Sequence, residues 1–156
     1  MAICIAVASC SINGYHGNGD DNYYSRFVTI PGAEWDYTNT LEMDVDTLRD
    51  SIASGGPLVL VIKHSQNYAY SNLWLELSYP LNDSVAVTDT FDISLADPAG
   101  AWIGRSLGAA VEKTDTLYPS FTIRRKMPLK IRHIMRLDRL DGIEQAGLIY
   151  YPDNEQ

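Results

Sequence analysis

The chain predicts an all-β fold, a single antiparallel β-sandwich of Ig-like or jelly-roll-like type with about eight strands behind a flexible N-terminal tether. Two observations and one contrast support this. Between Tyr68 and Gly108, Leu73, Leu75 and Leu77 alternate with Trp74, Glu76 and Ser78. Further on, Val85, Val87, Phe91, Ile93 and Leu95 alternate with Ala86, Thr88, Thr90, Asp92 and Ser94. Strand side chains point to opposite faces at period two, so each run has one apolar and one mostly polar face. Turn-forming residues recur between such runs, and no long stretch shows the helical period.

Size and composition set the limits. A chain of 156 residues that is 46% hydrophobic is long enough to bury one domain's core. The net charge of −8 argues against nucleic acid as a partner, which calls for a basic patch. The basic cluster Arg124-Arg125-Lys126, with Lys130, Arg132 and Arg136, reads as a solvated face. Cys4 and Cys10 both lie near the N-terminus, so no disulfide staples the rest of the chain. No run reaches the roughly 18–20 apolar residues of a membrane-spanning helix.

Residues 1–10 read as a lipoprotein signal remnant. Val7-Ala8-Ser9-Cys10 has the small residues before a cysteine that a lipoprotein-processing peptidase needs, with Cys10 as the lipidated residue. A buried first strand is the competing reading. No Lys or Arg precedes Arg26 to form a basic leader, so the expectation is a misplaced start codon or a truncated N-terminus. Residues 11–22 are rich in Gly, Asn and Asp and read as the flexible tether, with His16 solvated.

Residues 23–156 form the sandwich domain. Tyr23 to Ile30 is strand-like, Pro31-Gly32 a turn, and Leu41, Met43 and Val45 one face of a half-buried strand. Asp46 to Ser54 suggests a short helical turn ended by Gly55-Gly56-Pro57. Leu58 to Ile62 is apolar throughout and reads as a central strand covered on both faces. Pro80-Leu81-Asn82-Asp83 supplies a turn. Residues 109–118 are mixed loop or strand, and Phe121 to Arg124 a strand. Leu129, Ile131, His133, Met135 and Leu137 share a face, which makes His133 a core or edge histidine. Residues 138–142 read as a turn, and Ala146 to Tyr151 as the closing strand.

Few constellations suggest chemistry. Gly104-Arg105-Ser106-Leu107-Gly108 has the formal spacing of a nucleophile elbow, with Asp115 and His133 following in order. The surroundings predict neither the parallel sheet nor the helix that an elbow joins, so the glycines read as loop residues with positive φ. His16, His64 and His133 are too scattered for a zinc site. Asp89, Asp92 and Asp97 have calcium-compatible oxygens, but Asp97-Pro98-Ala99-Gly100 is explained as a turn that Asp97 caps. No phosphate loop or dinucleotide fingerprint occurs. The expectation is no enzyme, no metal and no cofactor.

Aromatic residues are more suggestive. Trp35, Trp74 and Trp102, with Tyr68, Tyr70 and Tyr79, are residue types that stack on a sugar or a partner. Trp74, Tyr68, Tyr70 and Trp102 form the candidate binding surface. Trp74 is favoured as a core side chain over an exposed one, both faces of its strand then being covered. Four short runs, beginning at Asp46, Asp50, Asp83 and Asp115, have the Asp-Ser/Thr-apolar form of a Bacteroidetes O-glycosylation motif.

Longer-range order carries a family resemblance. Asn67-Tyr68, Tyr70-Ser71-Asn72-Leu73-Trp74-Leu75, Thr88-Asp89-Thr90, Leu95-Ala96-Asp97, Gly100 and Trp102-Ile103-Gly104 stand in the pattern of the GldH gliding-motility lipoproteins of the Bacteroidetes. Met135, Gly142-Ile143 and Gly147-Leu148 extend the pattern, and Cys10 matches the family's lipidated cysteine. The resemblance covers roughly residues 10–150. Family members tend to have Gly where Ser106 stands, which argues against a nucleophile there.

The resemblance implies a non-catalytic lipoprotein anchored in the cell envelope through Cys10, at the outer membrane or facing the periplasm. Its partners would be other envelope proteins of a gliding or type IX secretion assembly. Non-gliding Bacteroidetes carry such proteins too, so motility itself does not follow. The alternative is a glycan-binding β-sandwich module, which requires two or more aromatic side chains exposed together on one sheet face. A hydrolase would require Ser106 within hydrogen-bond reach of His133.

Overall fold

The computed structural model describes residues 12–13, 23–45, 52–124 and 127–153. It is an all-β sandwich of antiparallel strands, as the alternation predicts. Among the described residues twelve strands, against about eight expected, run in order: β1 (Ile12–Asn13), β2 (Tyr24–Thr29), β3 (Glu34–Asp36), β4 (Leu41–Met43), β5 (Ile52–Ser65), β6 (Asn72–Asn82), β7 (Val85–Ser94), β8 (Arg105–Leu107), β9 (Ala110–Arg124), β10 (Leu129–His133), β11 (Arg139–Asp141) and β12 (Ile143–Tyr150). The large sheet has the order β1-β2-β12-β5-β9-β8, and the small sheet β4-β10-β6-β7. A two-stranded ribbon pairs β11 with β3.

The core lies between the two sheets. The large sheet contributes Tyr24, Val28, Leu58, Leu60, Ile62, Ala146, Leu148 and Tyr150, all buried. The small sheet contributes Leu41, Met43, Leu73, Leu75, Leu77, Ile93, Leu129 and Ile131. Leu58 through Ile62 is buried at every position, and β5 lies between β12 and β9 inside the large sheet. On the outer face of that sheet the Phe27 ring rests on Gly147, its cross-strand partner. A side chain at that position would occupy the ring's place.

Several boundaries differ from expectation. Gly55-Gly56-Pro57 does not end a helical turn but lies inside β5. Register shifts against β9 at Gly56 and Leu58 absorb these residues as bulges, and the Tyr151 backbone passes directly over Gly56. Residues 46–51 of that expected helical turn lie outside the described residues. β6 runs on through Pro80 to Asn82, so the hairpin turn falls at Asp83-Ser84, where Asn82 Oδ1 accepts from Ser84 N–H and Val85 N–H, both at 2.9 Å. Residues 110–124 form one continuous strand. Residues 139–141, expected in a turn, pair with Glu34–Asp36.

Of residues 1–22, only Ile12 and Asn13 are described, and they pair with Phe27 and Arg26. Cys4, Cys10 and His16 lie outside the described residues.

Candidate functional site

The outer face of the small sheet follows from the alternation in β6. Leu73, Leu75 and Leu77 point inward, so Trp74, Glu76 and Ser78 point out. Cross-strand polar pairs cover this face. Arg132 holds Glu76 through two bonds, Nε to Oε1 at 2.8 Å and a second nitrogen to Oε2 at 3.3 Å. Those bonds raise the guanidinium's pKa further above its ordinary value, and the group also lies 5.4 Å over the Tyr37 ring. Lys130 pairs with Glu42 at 3.0 Å, the Ser78 and Thr88 hydroxyls meet at 2.9 Å, and Asn72 donates to Asp92 at 2.7 Å.

Trp74 is the apolar exception on this polar face. It is 40% exposed, which overturns the expectation that it belongs to the core. The segment after β10 folds back beside it: Ile134 N–H donates to the Trp74 carbonyl at 2.9 Å, and Trp74 N–H reaches the Met135 sulfur at 3.4 Å. The result is a shallow hollow of about 590 Å³ lined by Tyr70, Trp74, Ile134, Met135, Arg136 and Leu137. Tyr70 is 38% exposed and stands edge-on to Tyr68, with ring centroids 5.6 Å apart.

The other two aromatic candidates lie deeper. Tyr68 is 4% exposed, and burial raises its phenol's pKa. Its hydroxyl donates to the Asn72 carbonyl at 3.0 Å. Trp102 is half-buried against His64 at 4.7 Å. It reaches that place because residues 95–104 double back: Ala96 bridges Trp102, and Ile103 N–H donates to the Leu95 carbonyl at 2.8 Å. Trp74 and Tyr70 therefore share one surface, Tyr68 is buried against Tyr70, and Trp102 lies beyond Tyr68 at 6.5 Å. Trp35 is fully buried, its indole N–H donating to the Asn39 carbonyl at 2.8 Å.

The catalytic-looking residues do not assemble. Ser106 is exposed on β8 in the large sheet, where Gly104 and Gly108 take φ of 137° and 75°. His133 is fully buried in the small sheet, where Nε2–H donates to the Trp35 carbonyl at 3.0 Å. Burial lowers its pKa, a shift that the Trp35 bond and nearby Asp36 oppose and Arg132 adds to. His64 is also buried, with Nδ1–H on the Ser65 carbonyl at 2.9 Å.

The three acids weighed for calcium are each engaged separately. Asp97 caps its turn, accepting from Ala99 N–H and Ala101 N–H at 2.9 Å each. Asp92 holds Asn72, and Asp89 faces inward to accept from the hydroxyls of Tyr79 and Tyr118. Among the described residues, no three His, Cys, Asp or Glu side chains gather as a metal site. Of the four Asp-Ser/Thr-apolar runs, Ser84 and Thr116 are exposed, and the Ser/Thr of the other two lie outside the described residues.

A family model described as GldH lipoprotein matches residues 22–149. No curated protein matches the chain.

Proposed function

Because the chain belongs to the GldH lipoprotein family, we propose that it is a non-catalytic, lipid-anchored component of a gliding or type IX secretion-linked assembly, working through contacts with other envelope proteins. A lipoprotein family implies association with the cell envelope through a lipid. We place the anchored domain at the outer membrane or facing the periplasm. The family match carries this reading. The matched range starts after Cys10, so its assignment as the lipidated residue rests on the Val7-Ala8-Ser9-Cys10 sequence. The mature lipoprotein's several acyl chains would anchor the domain stably, as a single chain would not.

The test is deletion in the native host, with colony spreading and type IX cargo secretion as readouts. Loss of either, restored by the wild-type gene and not by Cys10→Ala, supports the reading. Unchanged spreading and unchanged secretion would sink it.

One observation favours a second reading, glycan binding. Trp74 and Tyr70 are exposed together at one hollow, with Arg136 on its wall. Aromatic faces stack on the apolar faces of sugar rings, and a cationic rim suits acidic sugars. Calorimetry with envelope oligosaccharides tests this: binding that weakens about tenfold in Trp74→Ala supports it, and absence of binding contradicts it.

A further inference from the structure

Among the described residues, one side of the sandwich is open. There the large sheet presents β9 and the small sheet ends in β7, and side chains from both meet in the gap. Tyr118 of β9 stands edge-on to Phe91 of β7 at 5.5 Å and to Tyr79 of β6 at 5.9 Å. Asp89 of β7 lies in the same gap, where its Oδ2 accepts from Tyr79 and Tyr118.

An edge strand turns every second pair of N–H and C=O groups to solvent, and proteins blunt such edges with short length, proline, lysine or bulges. β9 has these devices. β8 covers its first residues, Lys113 and Pro119 lie along it, and its pairing with β5 shifts register. β7 has fewer. It is ten residues long, contains no proline or lysine, and runs in unbroken register against β6 from Val87 to Ser94. Among the described residues no strand pairs with its outward edge.

The charge on that edge is of one sign. Asp89 and Asp92 point to opposite faces of β7, and no Lys, Arg or His occurs between residues 82 and 104. A second copy of β7 would bring the same acids against these two with no base in either strand. The edge is thus open to pairing but disfavours pairing with itself.

We propose that the β7 edge is a docking strand for an extended segment of another polypeptide carrying two basic side chains three residues apart, which joins the small sheet. In a paired strand, residues opposite each other share a face, so that spacing sets one base against Asp89 in the gap and the other against Asp92 outside. Backbone bonds would supply most of the affinity, and side-chain sites the selectivity. A partly apolar hollow of about 290 Å³ lies in the same gap toward the hairpin tip, lined by Tyr79, Leu81, Tyr118 and Phe121 and also by the polar Ser120, Thr122 and Arg124. It would take an apolar side chain of the segment. Leu81 and Val85, 53% and 48% exposed, extend that apolar surface at the tip.

This gives the contact in the proposed function a place and rests on that reading. The probe is a fluorescein-labelled peptide, acetyl-Thr-Val-Lys-Val-Thr-Arg-Val-Thr-amide, titrated into the full chain and followed by anisotropy and amide hydrogen exchange. The expected result is binding with new protection confined to residues 85–94. Asp92→Asn weakens it about two- to fivefold, as for a rim ion pair. A peptide with Glu for both bases, and one methylated on its backbone nitrogens, fail to bind. No binding, or protection at 113–124 or around Trp74 instead, overturns the inference. Protection of β7 that grows with protein concentration alone also overturns it, in favour of self-association. If the peptide fails while gene deletion still blocks secretion, the β7 site falls and the function stands.

Discussion

The Tyr118 phenol donates to the Asp89 carboxylate across the gap between the two sheets. Asp89 sits opposite Leu77 in β6, on the inward face of an otherwise apolar row. A carboxylate there persists because Tyr118 and Tyr79 both donate to it, and the burial of these phenols raises their pKa values. Tyr118→Phe is expected to cost about 0.5–1.5 kcal/mol, with Asp89→Asn adding less than its own separate cost when combined. A double-mutant cycle by urea denaturation measures this. Strict additivity would show that the two groups do not interact.

The Phe27 ring occupies the space over Gly147. Gly147→Ala is expected to destabilise the domain by about 1–3 kcal/mol, the usual cost of overpacking. Phe27→Ala should relieve most of the added penalty in the double variant, as read by thermal melting. A Gly147→Ala protein as stable as wild type would contradict the packing.

Ala33 holds φ at 56°, in the left-handed region, within the turn Pro31–Ala33. A side chain in that conformation costs about 1–2 kcal/mol, which glycine avoids at some expense in chain entropy. Ala33→Gly should therefore raise the unfolding free energy by about 0.5–1 kcal/mol. A lowered melting temperature would count against the strain.

Two tryptophans should separate sharply. Trp35 is fully buried and Trp74 is 40% exposed. Trp35→Ala is expected to cost about 3–5 kcal/mol, and Trp74→Ala to stay within about 0.5 kcal/mol of wild type. Equal losses in denaturation would show that Trp74 is structural.

His133 links stability to pH. Burial holds its folded pKa below the ordinary 6.5, so between those two values the unfolded chain binds a proton that the folded chain does not. Its contribution is complete above pH 6.5 and is lost as the pH falls toward the folded pKa. Denaturation midpoints from pH 7.5 to 5 should fall more steeply for wild type than for His133→Gln. Parallel profiles would remove His133 as the cause.

The regular strands were legible because each carries one wet and one dry face, as β6 does from Leu73 to Ser78. β5 was legible for the opposite reason, being covered on both faces. The short β11 was not: Asp138 to Gly142 has the composition of a turn, and its strand exists through pairing with the segment that buries Trp35. Gly55-Gly56-Pro57 misled because bulges let a strand carry turn residues. In the candidate site, period two placed Trp74 on the polar face, and that face proved to be open. The burial of Trp102 depends on a loop that doubles back onto His64, which local alternation does not encode.

Lipid attachment at Cys10 is the claim on which the envelope reading turns. The direct measurement is metabolic labelling of the full-length protein with a palmitate analogue in its native host, beside Cys10→Ala. The account predicts label and membrane fractionation for the wild type, with both lost in the variant. A wild-type protein that takes up no label, or a Cys10→Ala variant labelled equally, would contradict it.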